Sequence, residues 1–498
     1  MSHREIHSPS LAPTSQSPTH SAGLGQAPNS RPPTPDPRPL LAYFLLTILM
    51  TWPTILHLTG GIPGDGFDGW QNYWNLWWVK KALLELGTSP FFTDYLYSPQ
   101  GASLLFHTLN IFNGLWTLPI QLNFGPAVAY NSVVLVSFVL AGYGGYLLSL
   151  YTLTQFKCFP SAGLRPAAFA GGLVFTMSPF HMAHLLGHMQ VFSMIWPPFY
   201  VLWLLRILQP WASLPQTSPP ASHLRGEGKN IAIACLFLVL ATLVDWYHTL
   251  YLLIFTGLAL VWTLWQRGGR GDDEARWRTD HRFLASAPHH IVASSRQRLT
   301  LLLRPFWLVL AIGLSFGIVL APLLIPMIRV ARNTPALQTG LEQSITLSAD
   351  LLAFILPSEM HPLWGEWAKT VANNFSSTLS ERLVFAGFVP LALALFIIIR
   401  GWQSSIVKFW TLVTGVFFIL ALGPYLHAGG KLVSLGNWPV PLPYLLLYHT
   451  VPFIRLTRSL SRYDLMVMLG LGVLTAISLA YVASGRWQVA SGRWQVAG

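Results

Sequence analysis

From Pro39 onward the sequence returns repeatedly to runs of about twenty apolar residues, each long enough to cross a hydrocarbon core of about 30 Å as a helix. Charged residues make up 10% of the chain and hydrophobic residues 52%, whereas a soluble domain carries roughly 25% charge. The runs are too long and too uniform for the short alternating strands of a membrane β-barrel. The expected fold is therefore an all-α polytopic membrane protein.

Ten spans are expected, centred in 39–58, 127–151, 167–181, 189–206, 230–247, 249–266, 305–328, 383–399, 408–424 and 459–483. The segment 103–124 (SLLFHTLNIFNGLWTLPIQLNF) is apolar enough for an eleventh, but it carries asparagines, a histidine and a proline. If it only dips into the outer leaflet and the N-terminus is cytoplasmic, 20 of the 30 Lys and Arg fall in or beside the cytoplasmic pieces. The richest is the loop 267–304. That distribution is what the positive-inside rule asks for, and a full span at 103–124 would invert it.

The ends of the chain have a different composition. Residues 1–38 are rich in Pro, Ser and Thr and lack the apolar core of a signal peptide, so they read as a disordered cytoplasmic tail, with Leu40 to Leu58 as an uncleaved anchor. Residues 39–483 form the transmembrane domain, with a first outer loop at 59–126 and a second large outer loop at 329–382. SGRWQVA occurs at 484–490 and again at 491–497, too few copies for a repeat architecture. The net charge of +12 lies in loops that set orientation, so no nucleic-acid partner is expected. Cys158 falls in a predicted cytoplasmic loop and Cys235 inside a span, which rules out their pairing.

This topology places a particular set of ionisable residues on one side. Asp65, Asp68, His181, His184, His188, Asp245, His248, Asp350, Glu359 and His361 all fall at outer ends of spans or in outer loops. An ionisable group at mid-helix in a bilayer costs roughly 2.5 to 3.5 kcal/mol on the insertion scale, so their clustering points to a polar cavity opening outward.

In the first outer loop, GDGFDGWQNYWNLWW (64–78) pairs two carboxylates three apart in a glycine-rich turn. Asp65 and Asp68 can act as general base or hold a divalent cation. Asp68 can equally cap the following helix, since Asp68 and Gln71 have capping-box spacing. In that helix Trp70, Tyr73, Trp74 and Trp77 form one stripe, read first as a flat interfacial helix and second as a platform for stacking a sugar.

HMAHLLGH sets His181, His184 and His188 on one face of a helix that continues past Pro179, suited to substrate contact or, less readily, to zinc. DWYH places Asp245 and His248 at the turn between two spans, either entering the cavity or solvating a hairpin. In FIRLTRSLSRYD, Arg455, Arg458 and Arg462 stack at spacings of three and four on the outer side. Arginines outside run against the positive-inside bias, and guanidinium groups suit a phosphate; snorkelling to lipid headgroups is the other reading.

Taken with SPQGASLLFH (98–107), GPAVAYN (125–131), FTMSPFHMAHLLGHMQ (175–190), SADLLAFILPSEMHPLWG (348–365), ALGPYL (421–426) and RLTRSLSRYD (455–464), these features resemble the GT-C glycosyltransferases. More specifically, they resemble bacterial membrane proteins placed near that superfamily, over roughly 39–483. The resemblance implies a bundle of about 10–11 transmembrane helices with an interfacial helix in the first outer loop. It also implies a sugar donor on undecaprenyl or a related polyprenyl phosphate, presented at the outer leaflet of the cytoplasmic membrane. Asp65 would then serve as general base, with Asp68 helping or binding a divalent cation. The arginines would take the departing lipid phosphate, and the anomeric carbon would invert. A lipid-linked glycan polymerase or ligase, or a transporter or flippase, are the competing classes; a transporter would put ionisable groups at mid-span or show repeated halves.

Overall fold

A computed structural model describes residues 36–485 apart from 65, 67, 157–158, 212–220, 281–294, 335–336 and 338–339; side chains of 221–225, 269–298 and 452–453 are also outside the description. Most of the expected tail, Cys158, part of the 267–304 loop, most of the duplicated C-terminus and Asp65 thus lie outside the described residues.

Almost all regular structure is helical. Asp36 caps α1 (Pro37–Met50), accepting from Arg38 N, and Pro37 starts the helix where a missing N–H does no harm. The chain then turns into α2 (Asp68–Lys80). The hairpin β1 (Phe92–Thr93) and β2 (Ala102–Ser103) pairs Phe92 with Ser103. The short helices α3 (Ile111–Trp116) and α4 (Leu118–Phe124) follow. The segment 103–124 therefore contains no helix long enough to span a bilayer.

Helix α2 buries a different stripe from the aromatic one. Asn72, Asn75, Leu76 and Val79 point inward, while Trp70 stays 59% exposed. The reason is polar: Asn72 Nδ2 donates to Gly187 O at 2.8 Å and Asn75 Nδ2 to Thr108 O at 2.8 Å. Loop carbonyls buried beneath the helix need these donors. Trp74 stacks on the buried Trp78 at 5.7 Å, and Trp77 meets Tyr95 edge-on. Much of the aromatic stripe is thus internal packing of the outer loop, which leaves less of it for an interfacial belt or a sugar platform.

The bundle begins with α5 (Pro126–Thr154), α6 (Ser161–Thr176), α7 (Pro179–His184), α8 (Met189–Phe192) and α9 (Trp196–Leu208). It continues through α10 (Ala221–Val244), α11 (Trp246–Asp280) and α12 (Ser295–Asn333). The outer segment that follows holds α13 (Leu341–Thr346), α14 (Gly365–Ala372) and α15 (Leu379–Arg382). Next come α16 (Phe388–Gly401), α17 (Ser405–Ala421) and two small hairpins, β3 (His427–Ala428) with β4 (Lys431–Leu432) and β5 (Ser434–Leu435) with β6 (Trp438–Pro439). The chain closes with α18 (Pro443–Thr450) and α19 (Asp464–Ala483).

Among the described residues six helices are long and apolar enough to cross a membrane, and α1, α16 and α17 are shorter apolar helices. The chain is an all-α polytopic membrane protein. Helix α19 is apolar all round and buried without a break from Asp464 to Ser478, as expected of a helix at the centre of a bundle. Small residues let its neighbours close in. A Cβ on Gly472 would stand 2.5 Å from Gly171 O, and one on Gly172 would stand 2.4 Å from Gly142 O, the close backbone approach typical of helices packed in lipid. In α12, by contrast, 11% of the apolar window is buried, which leaves the helix facing outward.

Candidate functional site

Asp68 is the first residue of α2, and His188 lies in the turn before α8. His188 Nε2 is 2.8 Å from Asp68 Oδ2. The two segments are held together by close backbone contact: Gly187 has φ +146°, and a Cβ there would stand 2.4 Å from Gly69 N. Gln71, the expected capping partner, donates instead to Thr108 Oγ1 at 2.9 Å. The Asp68 carboxylate is turned to His188. The hydrogen bond from His188 is the main reason the Asp68 carboxyl lies below its usual range; partial burial opposes it, and the charges of His188, Arg462 and Arg458 reinforce it.

The three histidines do not share a helical face. Helix α7, capped by Ser178, stops at His184, and His188 stands on the far side of a turn. His181 is turned away from Asp68. Its ring lies flat on Phe138, with centroids 3.7 Å apart, and its nitrogens sit 2.7 Å from Thr176 O and 2.6 Å from Phe192 O. It joins α7 to its neighbours rather than facing a ligand. His184 stays beside His188, ring centroids 5.3 Å apart. His184 Nδ1 donates to Phe180 O at 2.8 Å, so Nε2 carries the lone pair, buried and without a partner. Burial, with the charge of His188 beside it, drives the His184 pKa down to about 3.

Beside these histidines sits Glu381 in α15, a residue the sequence reading missed. It is 3% exposed. Arg462 donates to its Oε1 from Nε at 2.7 Å and also from Nη2, while Ser461 Oγ donates to Oε2 at 2.6 Å. Burial by itself raises the Glu381 carboxyl, but the Arg462 charge, His184 and the hydrogen bonds from Arg462 and Ser461 together outweigh it and hold the pKa at about 2. The available signal was an acidic residue just ahead of the span at 383–399. Within the polar string SSTLSER it reads as ordinary loop solvation.

The arginine stripe is also broken up. Residues 452–463 form two short 3₁₀ turns, Pro452–Leu456 and Leu460–Tyr463, with no α-helical face to share. Arg455 Nε donates to Tyr448 O at 3.0 Å, and its guanidinium lies 5.4 Å from the Tyr448 ring centre. Arg462 is buried in the pair with Glu381. Arg458 is exposed, and its charge acts on Asp68.

Asp245 occupies the one-residue break between α10 and α11. Its Oδ1 accepts from Tyr247 N at 3.0 Å, while Oδ2 and both ring nitrogens of His248 are buried without a partner. The Arg462 charge acts on both residues. They therefore belong to the surroundings of the Glu381–Arg462 pair and do not solvate a hairpin.

The other outer-loop residues serve the architecture. Asp350 accepts from Leu352 N (2.9 Å), Gly429 N (3.0 Å) and Gly430 N (2.8 Å). Glu359 pairs bidentately with Arg382, both bonds 2.7 Å. His361 Nδ1 accepts from Leu363 N and Trp364 N.

Among the described residues no three His, Cys, Asp or Glu side chains come together in a way that could hold a metal ion. Asp65, one of the two carboxylates expected to hold a divalent cation at this loop, lies outside the described residues, and Asp68 shares one oxygen with His188. A cleft of about 450 Å³ lined by Phe91, Phe92, Leu105, Pro322, Leu323 and Pro326 contains none of these residues.

No family model matches the chain, and no curated protein matches it in sequence. The crystal structure of the Archaeoglobus fulgidus oligosaccharyltransferase in the apo form aligns with a TM-score of 0.43 and 15% sequence identity, over 92% of this chain and 52% of that one. This chain spans about half the length of that enzyme.

Proposed function

We propose that this protein is a GT-C-type glycosyltransferase that moves a sugar from a polyprenyl-phosphate donor to an acceptor hydroxyl at the outer face of the cytoplasmic membrane, with inversion. The observation that carries this reading is the convergence of Asp68 paired to His188, Arg458 within electrostatic reach of Asp68, and the buried Glu381–Arg462 pair. These groups come from four separate stretches of an otherwise apolar chain.

In this reading a first-loop carboxylate, Asp65 or Asp68, takes the proton of the acceptor hydroxyl. The acceptor oxygen attacks the anomeric carbon from the face opposite the phosphate. The bond from carbon to phosphate oxygen breaks, and its electron pair leaves with the lipid phosphate. Arg458 stabilises the charge that grows there, an interaction stronger in the transition state than in the ground state. His184, His188, Asp245 and His248 supply polar contacts for sugar or acceptor hydroxyls.

The test is to incubate purified protein in lipid with radiolabelled polyprenyl-phosphate sugars and follow release of polyprenyl phosphate. Asp65→Asn and Asp68→Asn are each compared with wild type, and the base is the carboxylate whose loss lowers release by about 10²-fold. Equal release by both variants and wild type overturns the assignment of the base. Absence of release by wild type with every donor overturns the transferase reading.

A further inference from the structure

Ahead of α19, four consecutive backbone N–H groups are held by just two acceptors from distant parts of the chain. Tyr247 Oη accepts from Arg458 N at 2.9 Å and from Ser459 N at 3.4 Å. Leu347 O accepts from Leu460 N at 3.0 Å and from Ser461 N at 3.2 Å. The side chains that follow are tied as well, Ser461 and Arg462 to Glu381. From 458 to 464 the Arg458 side chain is exposed, while each of the next six residues is buried. The segment is a fixed backbone from which one guanidinium projects.

Tyr247 is itself fixed. It is the second residue of α11, and its N–H is taken by Asp245 Oδ1. Its ring centre lies 5.5 Å from the Arg462 guanidinium. The hydroxyl thus reaches Arg458 while the ring reaches Arg462.

We infer that Tyr247 is the positioning residue for Arg458. Its hydroxyl sets the backbone from which the exposed Arg458 side chain projects, so that an incoming phosphate meets an arginine whose attachment point is already ordered. A preorganised contact binds more tightly because less freedom is lost on binding. The inference rests on the reading of Arg458 as the phosphate contact.

The experiment measures binding of a two-isoprene alkenyl phosphate to the full-length protein in lipid nanodiscs, with the matching neutral alkenol as control. Tyr247→Phe keeps the ring under Arg462 and removes the hydroxyl. Wild type, Tyr247→Phe, Arg458→Ala and the double variant form a cycle. Arg458→Ala is expected to weaken phosphate binding about tenfold or more and Tyr247→Phe about fivefold, with the double variant no weaker than Arg458→Ala and alkenol binding unchanged throughout. Loss in Arg458→Ala with an unaffected Tyr247→Phe, or with additive effects in the double variant, overturns the role of Tyr247 alone. Wild-type phosphate binding by Arg458→Ala overturns the phosphate reading together with it. Equal weakening toward the neutral alkenol assigns Tyr247 a purely structural role and also overturns the inference.

Discussion

The imidazole of His188 donates from Nε2 to the Asp68 carboxylate at 2.8 Å, joining the start of the first outer-loop helix to the turn between α7 and α8. The contact places a carboxylate and two histidines next to each other at the edge of the buried Glu381–Arg462 pair. Mutation and pH therefore test the site from several directions.

Replacing His188 by Leu removes the main influence holding the Asp68 carboxyl low, the hydrogen bond from its ring. Because Asp68 titrates below the unfolded carboxylate value of about 3.9, its stabilisation is present above that pH and is lost as the pH falls through the lower folded value. Acid unfolding of wild type is expected to show this loss below about pH 4, and His188→Leu to show less of it. With the Asp68 side chain 35% exposed, the effect on stability is under about 1 kcal/mol. A scan of thermal midpoint against pH for both proteins measures the difference.

Glu381→Gln leaves the buried Arg462 charge without a counterion. Loss of one partner of such a pair is expected to destabilise by about 3–5 kcal/mol, and a double replacement, Glu381→Leu with Arg462→Met, to recover much of it. Thermal unfolding in detergent distinguishes the two. A midpoint for Glu381→Gln equal to wild type contradicts the pairing.

Gly187→Ala meets two obstacles at once, a left-handed backbone and a Cβ 2.4 Å from Gly69 N. Strain of this kind costs about 1–3 kcal/mol, and relief requires moving His188 away from Asp68. The variant should lose thermal stability by that amount and lose transfer activity in greater proportion. Circular dichroism melting and the radiolabel assay on the same preparation provide the comparison.

Sidedness is tested by single cysteines at Arg458 and Leu435 in a chain with Cys158 and Cys235 replaced by serine. Both positions are exposed and, on the proposed topology, should react with a membrane-impermeant maleimide added outside intact cells. A cysteine in the loop 267–304 should react only after the membrane is opened. Labelling in the reverse order removes the outer-face site.

Local composition by itself determined the class of fold. Long, mostly apolar stretches such as Leu460–Ala483 and Trp246–Gly268 must be helical in lipid, because each residue's N–H and C=O can find a partner only within the segment. The same economy of charge made Asp68, His184, His188, Asp245 and the arginines stand out as candidates before any contact was known. Side-chain spacing failed where the segment was not helical. His188 lies past the end of α7, and Arg455, Arg458 and Arg462 sit on 3₁₀ turns, so neither set shares a face.

Tertiary structure alone decided which of the candidates meet. It turned His181 into the core, tied Gln71 to Thr108, and brought in Glu381, which reads as loop solvation along the chain, and Tyr247, whose neighbours Asp245 and His248 stood out in its place. Each of those outcomes depends on an acceptor or donor supplied by a distant segment: Phe192 O for His181, Thr108 for Gln71, Arg462 for Glu381, Arg458 N for Tyr247. Apolar length is a property of consecutive residues and can be read along the chain. The pairing of a buried polar group is a property of whichever segment packs against it, and that is known only once the helices have closed around α19.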